Sequence, residues 1–224
     1  MREAIFIVFF LASLQTYALE KIKIVVQPDY MPYLRMLNGV PTGLCGDKAA
    51  SKLKSAQFEF EYSQLPFPRA LKEIENGKSD AIIMVLKNPK RERFILYPTR
   101  FLCQESLAVF SLNDAQNINS LTELKGMHVG FVRGFSHGYT IDHLDGVLRL
   151  EVKDKAALVG ILLNKRVSFI VGSDLVIGHH LNEIKKSNLV KKQPVEIADD
   201  FKLYIGVSKK SRFKKEILEM LDSM

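Results

Sequence analysis

The chain has 224 residues, 47% hydrophobic and 25% charged. That is the make-up of a globular protein of one domain or two small lobes, and it excludes a disordered or collagen-like chain. Lys and Arg number 32 against 25 Asp and Glu, a net charge of +7. The excess is spread along the chain instead of gathering on an aromatic-bearing face, so nucleic acid is not an expected partner.

Met1-Arg2-Glu3 is a short charged start, residues 4–14 (AIFIVFFLASL) are apolar, and Thr16-Tyr17-Ala18 offers small residues before a cut. This is the pattern of an export signal, too short for the ~20 apolar residues of a membrane-spanning helix. Cleavage is expected after Ala18, leaving a soluble periplasmic chain that begins at Leu19 and has no lipid-bearing Cys. Cys45 and Cys103 form a candidate disulfide in an exported chain, but sequence does not show that their Cα atoms approach, and two separate buried thiols are the expectation. Without C-x-x-C, neither zinc nor thioredoxin-like chemistry is expected, and no cofactor is implied.

Residues 21–27 (KIKIVVQ) read as a strand, 46–55 as a short helix, and 58–62 as another strand by alternation. Pro66 and Pro68 open a helix with Ala70, Leu71 and Ile74 inward, which stops at Gly77. Residues 80–86 (DAIIMVL) are a continuous apolar run that suits a parallel strand buried on both faces. Strand, helix, strand, helix, strand is a doubly wound α/β unit. The pattern then repeats. A strand at 107–111 is followed by a capping box at Ser120–Glu123, a strand at 127–132, a helix capped by Asp154 and ended at Asn164, and a buried strand at 167–171. Ser173-Asp174 caps one more helix, 201–207 is a strand, and a final helix capped by Ser211 carries Phe213, Ile217, Leu218 and Leu221. The expected fold is α/β with two lobes, 19–108 plus 199–224 and 109–198, joined by crossings near 105–112 and 192–201. A ligand cleft is expected between them.

An enzyme reading finds little support. His128, His137, His143, His179 and His180 make no H-E-x-x-H, and no G-x-S-x-G or G-K-[ST] loop occurs. The adjacent His179-His180 face different directions on a helix and are expected solvated or half-buried. Asp142-His143 has no partner nucleophile in view and is expected at the surface. The lysines at 185–192 and 209–215 read as solvated helix ends and turns.

Residues 66–98 (PFPRALKEIENGKSDAIIMVLKNPKRERFILYP) resemble the bacterial solute-binding proteins of family 3, which deliver amino acids and related solutes to import permeases. The likeness lies in Phe67 ahead of the Glu75–Asp80 turn, in the segment from Arg91 to Tyr97-Pro98, in Leu121–Gly130 with Arg133-Gly134, and in Ile24–Tyr33 at the start. It implies a periplasmic-binding-protein-like, two-lobed clamp of type II that acts as a monomer, closes on a small solute and serves a membrane permease or receptor. By resemblance, Arg91 holds a ligand carboxylate through a planar two-pronged contact, Tyr30 and Phe67 sandwich its apolar part, and the turn Arg133-Gly134-Phe135-Ser136 supplies the second-lobe contact. Ser173 or Asp174 stands nearest the position that receives a ligand ammonium, and Asp29 and Met84 complete the expected site. Met84-Val85-Leu86-Lys87 departs from the small and hydroxyl-bearing residues usual there, which puts an α-amino acid ligand in question. An enzyme on the same fold would need an acid-base group in the cleft, and Glu105 and Asp29 are the two to test.

Overall fold

The computed structural model describes residues 19–223; the expected signal, 1–18, lies outside them. The chain begins with β1 (Glu20–Val26), a hairpin of β2 (Arg35–Leu37) and β3 (Val40–Thr42), α1 (Gly46–Lys52), β4 (Phe58–Gln64), α2 (Phe67–Asn76) and β5 (Ala81–Leu86). Then come α3 (Pro89–Glu92), β6 (Ile95–Leu96) and β7 (Cys103–Gln104). The next stretch holds β8 (Leu107–Leu112), β9 (His128–Val132), α4 (Gly138–Asp142), β10 (Leu148–Val152), α5 (Lys155–Leu163), β11 (Phe169–Ser173), α6 (Asp174–Glu183) and β12 (Val190–Lys192). The chain finishes with β13 (Lys202–Ser208) and α7 (Lys214–Asp222).

One sheet has the order β4-β1-β5-β13-β6 with β7 on β13, and the other β10-β9-β11-β8-β12. In each, the early strands pair in parallel while the strand supplied by a crossing runs antiparallel: β13 on β5, and β8 on β11. β13 therefore returns to complete the first lobe. Alternation sorts the side chains to two faces. Ile22, Ile24 and Ile83 pack in one core, whereas Val25, Ile82 and Val85 pack with α2 in another. The second sheet divides likewise, with Ile170 and Phe110 against α5 on one side and Val109, Phe131 and Val171 on the other. Burying both faces of β5 withdraws all of Ala81–Val85 from water, as its unbroken apolar run predicts.

Most helix ends follow from the sequence. Asp154 accepts the Ala157 N–H at 2.8 Å, and Gly77 ends α2 in the left-handed region at φ 74°. Ser120 and Glu123 form their capping box, around a single 3-10 turn.

Four expectations need correction. Ser173 stands at the N-terminus of α6, but its side chain makes no capping hydrogen bond. The final helix starts at Lys214 behind Phe213. The Ser211 hydroxyl accepts from Phe213 N at 3.1 Å and donates to Asp80 Oδ1 at 2.6 Å, so it ties the last turn to the first lobe and caps no helix. The 46–55 helix ends at Lys52. Cys45 and Cys103 are joined in a disulfide. They lie 58 residues apart and meet because β7, by pairing with β13, brings Cys103 into the core that already holds Cys45.

Candidate functional site

The two sheets face each other across a wall of aromatic side chains. After β1 the chain turns at Asp29, which takes a left-handed φ of 43°, and the following Tyr30 is fixed by backbone bonds to Leu34. Phe67, the first residue of α2, is buried beside it. Phe135, from the turn after β9, packs edge-on against Phe67 with ring centroids 5.0 Å apart and tilts against Tyr30 at 5.8 Å. A second-lobe side chain thus occupies the space between the two first-lobe aromatics. That turn needs Gly134 at φ 79°, because a Cβ there would stand 3.0 Å from Pro68 Cγ across the lobe boundary.

Arg91 lies behind this wall. Asn88 caps the one-turn helix α3 by accepting the Arg91 N–H at 3.0 Å, and this turns the Arg91 side chain inward until 6% of it remains exposed. The guanidinium lies over the Phe67 ring at 5.0 Å. Its two terminal nitrogens donate to Leu86 O at 2.8 Å and to Gly134 O at 3.2 Å, one carbonyl from each lobe. Burial pushes its pKa down, but a guanidinium stays charged under any physiological condition. Nearby, Met84 adopts a left-handed φ of 64° where β5 gains a residue on β13 between Tyr204 and Ile205. Such bulges re-aim a side chain, and here the buried Met84 lines a cavity also bordered by Arg91.

A carboxyl group stands on the opposite side of Tyr30. Tyr30 donates its hydroxyl to Glu105 Oε2 at 3.0 Å. Burial pushes Glu105 up to about 7, against the lowering effect of the neighbouring Ser173 and Tyr30 hydroxyls. The same desolvation, with Glu105 close by, raises Tyr30 well above the ordinary phenol value. Ser173, 3% exposed at the end of β11, sits near enough to ease the charge on Glu105 but finds no partner at hydrogen-bonding geometry.

Tyr30, Phe67, Met84, Arg91 and Ser136 therefore border one small cavity of about 30 Å³, shared with Glu105 and Phe135. Ser136 and Ser173 border a second of about 30 Å³ with Tyr30 and Glu105. Larger spaces open to either side: about 750 Å³ past Arg91 toward Tyr139 and Arg149, and about 480 Å³ past Phe67 toward Asp29 and Lys155.

The remaining expected residues lie farther out. Asp29 is on the rim, 3.0 Å from Lys155 Nζ. Arg133 is exposed and pairs with Glu151 at 3.7 Å. Asp174 is drawn to Lys192 at 2.5 Å.

Asp142 remains exposed, as expected, but its carboxylate accepts from Ser136 Oγ at 2.6 Å and from His137 N at 3.0 Å. Burial would raise it, yet contacts with His137 and Ser136 prevail and hold it at about 2. His137 is buried, and desolvation lowers its pKa, which favours the neutral ring. His179 and His180 are half-buried beside Glu183, in keeping with the sequence reading. Sequence reasoning names Phe135 only as part of the second-lobe turn 133–136, and it does not name Lys155. An aromatic in a glycine turn and one lysine among many carry no local signal of an inter-lobe role. Among the described residues no helix is long and apolar enough to cross a membrane, and no cluster of His, Cys, Asp and Glu could hold a metal ion.

Similar architectures occur among solved proteins. The substrate-binding protein of an amino acid ABC transporter superposes with a TM-score of 0.75 at 18% identity, covering 91% of this chain and 90% of its own. A histidine kinase sensor domain with similarity to periplasmic binding proteins gives 0.79 at 18%, covering 92% and 88%. Holo ArgBP from T. maritima gives 0.74 at 14%, covering 91% and 88%. At these identities the likeness is one of fold, the type II two-lobed clamp. No curated protein matches by sequence. The family model for bacterial extracellular solute-binding proteins, family 3, matches residues 22–224. The chain therefore belongs to the bacterial extracellular solute-binding proteins of family 3, as a ligand-binding protein and not an enzyme.

Proposed function

We propose that this protein captures a small carboxylate-bearing solute between its lobes outside the cytoplasm and delivers it to an ABC-type import permease. In this reading the signal is cut after Ala18, and the protein works as a monomer. The lobes 19–108 plus 199–224 and 109–198 move about their two crossings. The observation that carries the reading is Arg91, a buried planar donor whose guanidinium is shared between carbonyls of the two lobes. A carboxylate that replaced those carbonyls would gain a charge-assisted, two-pronged contact, and it would favour whichever lobe arrangement keeps both sides of the cleft in reach. Tyr30, Phe67, Met84, Ser136 and Ser173 are the accompanying contacts, with Asp29, Arg133 and Asp174 at the periphery.

A 30 Å³ space holds about one water, so a solute enters only when Phe135 withdraws from Tyr30 and Phe67. The test is mass spectrometry of what purified protein releases on denaturation. A carboxylate-bearing small molecule is expected, and a retained solute without an acidic group would overturn the reading. The fold shared with a histidine kinase sensor domain supports a second reading, in which the closed clamp signals to a membrane receptor. Crosslinking in native membranes separates the two: a permease subunit for import, a signalling receptor for sensing.

A further inference from the structure

Two neighbouring residues of the second lobe reach across to the first. Gly134 places its carbonyl oxygen 3.2 Å from a terminal nitrogen of Arg91, and Phe135 sets its ring 5.0 Å from Phe67 and 5.8 Å from Tyr30. An oxygen acceptor on the guanidinium and an apolar group between the aromatics are what a small carboxylate would bring to the same place. Phe135 also packs against the core of Ile22 and Ile24, the core of Val25 and Ile82, and the α5 core of its own lobe. Gly134 permits this approach: its φ is 79°, and Pro68 of α2 stands 3.0 Å from where a Cβ would be. Lys155 holds the same boundary through Asp29 at 3.0 Å. The spaces that remain beside the ring, about 30 Å³ each, are the size of a water.

We infer that the turn 133–136 is an internal occupant of the cleft. Before any solute arrives the lobes close on the Gly134 carbonyl and the Phe135 ring, and a solute binds by displacing both. The inference rests on the carboxylate reading for what the carbonyl stands in for. In an open clamp Arg91 loses its second-lobe acceptor, and Tyr30, Phe67 and Phe135 lose one another. Each ring contact of this kind shifts an equilibrium about two- to tenfold beyond the area it buries, so two of them, together with the Lys155–Asp29 pair, keep most molecules closed. Apparent affinity for a solute then falls in proportion to the fraction of molecules that is open. Phe135 thereby sets the strength of binding without belonging to the contacts that the solute itself makes.

The experiment needs emptied protein: unfolded in guanidinium with its disulfide intact, dialysed, refolded, and checked for retained solute by mass spectrometry. Two readouts follow, the radius of gyration by small-angle scattering and the rate at which phenylglyoxal, a reagent for guanidinium groups, labels Arg91. The exposed Arg93 is the control in the same segment. The emptied parent is expected to label Arg91 about tenfold more slowly than Arg93. Phe135→Ala is expected to raise the radius of gyration and to speed Arg91 labelling about tenfold, with Arg93 unchanged. Should that variant fail to fold, Phe135→Leu, which keeps an apolar side chain and gives up only the ring contacts, is expected to move both readouts part of the way. The inference is overturned if the emptied parent labels Arg91 as fast as Arg93, or if either readout in the folded variant matches the parent. Neither readout uses a solute, so the two readings fail separately. A retained solute without an acidic group would remove the carboxylate reading and leave the self-closed clamp, whereas a freely labelled Arg91 in the emptied parent would do the reverse.

Discussion

Lys155 of the second lobe is held by a single residue of the first: its ammonium lies 3.0 Å from the Asp29 carboxylate and 3.1 Å from the Asp29 carbonyl. Only 11% of the Lys155 side chain is exposed, although Asp29 stands mostly in water. A pair of this kind contributes about 1 kcal/mol, enough to change the ratio of closed to open lobes about fivefold. Lys155→Ala is expected to raise the radius of gyration in small-angle scattering. A curve that superposes on the parent would show that the latch does not hold the lobes.

Arg91 and Arg93 sit two residues apart, one buried between lobes and one exposed. Arg91→Ala should weaken binding of the retained solute by roughly two orders of magnitude, since truncating one partner of a buried charge pair costs on the order of 2–5 kcal/mol. Lysine at 91 should restore part of the affinity, because a point charge cannot donate to two acceptors in one plane. Arg93→Ala should bind like the parent. Calorimetry on the three variants gives the order, and equal affinities throughout would remove Arg91 from the site.

The disulfide closes a loop between residues 58 apart, for which chain entropy alone predicts about 4 kcal/mol and engineered cases commonly give less. Cys45→Ser with Cys103→Ser should lower the denaturant midpoint by an amount equivalent to about 2–4 kcal/mol. Solute affinity should be retained, because neither cysteine borders the small cavity beside Arg91. An unchanged midpoint would mean that the native packing of β7 on β13 already supplies the constraint.

Glu105 links stability to pH. Its carboxyl is raised from 4.5 in the unfolded chain to about 7 in the folded one, with burial the largest cause. The folded state therefore binds more protons between those values. The contribution is fully present below pH ~4.5 and is lost as pH rises through ~7. The residue is only partly withdrawn from water, which trims the effect to about 1–2 kcal/mol. Unfolding of Glu105→Gln followed across this window should show a flatter profile than the parent. Parallel profiles would assign the pH dependence to other groups.

By itself the sequence determined the α/β class, the β5 run buried on both faces, the ends of α2 and α5, and the likeness that pointed to a two-lobed clamp. These are local properties: alternation or continuity of apolar residues decides which faces are buried, and Gly77 or Asp154 settles a helix end through its own backbone or side chain. Tertiary structure decided everything that depends on residues distant in the chain. Cys45 finds Cys103 only because β13 returns to pair with both β5 and β7. Ser211 reads as a helix cap until Asp80, 131 residues away, is brought within 2.6 Å to accept its hydroxyl. The two carbonyls that Arg91 bridges could not be read from its segment, because one belongs to Gly134 in the other lobe. The pairing of Asp174 with Lys192 depends on β12, and Phe135 meets Tyr30 and Phe67 only when the second sheet is set against the first. A cleft is made of residues from both crossings and both sheets, so its chemistry is fixed by how the lobes meet.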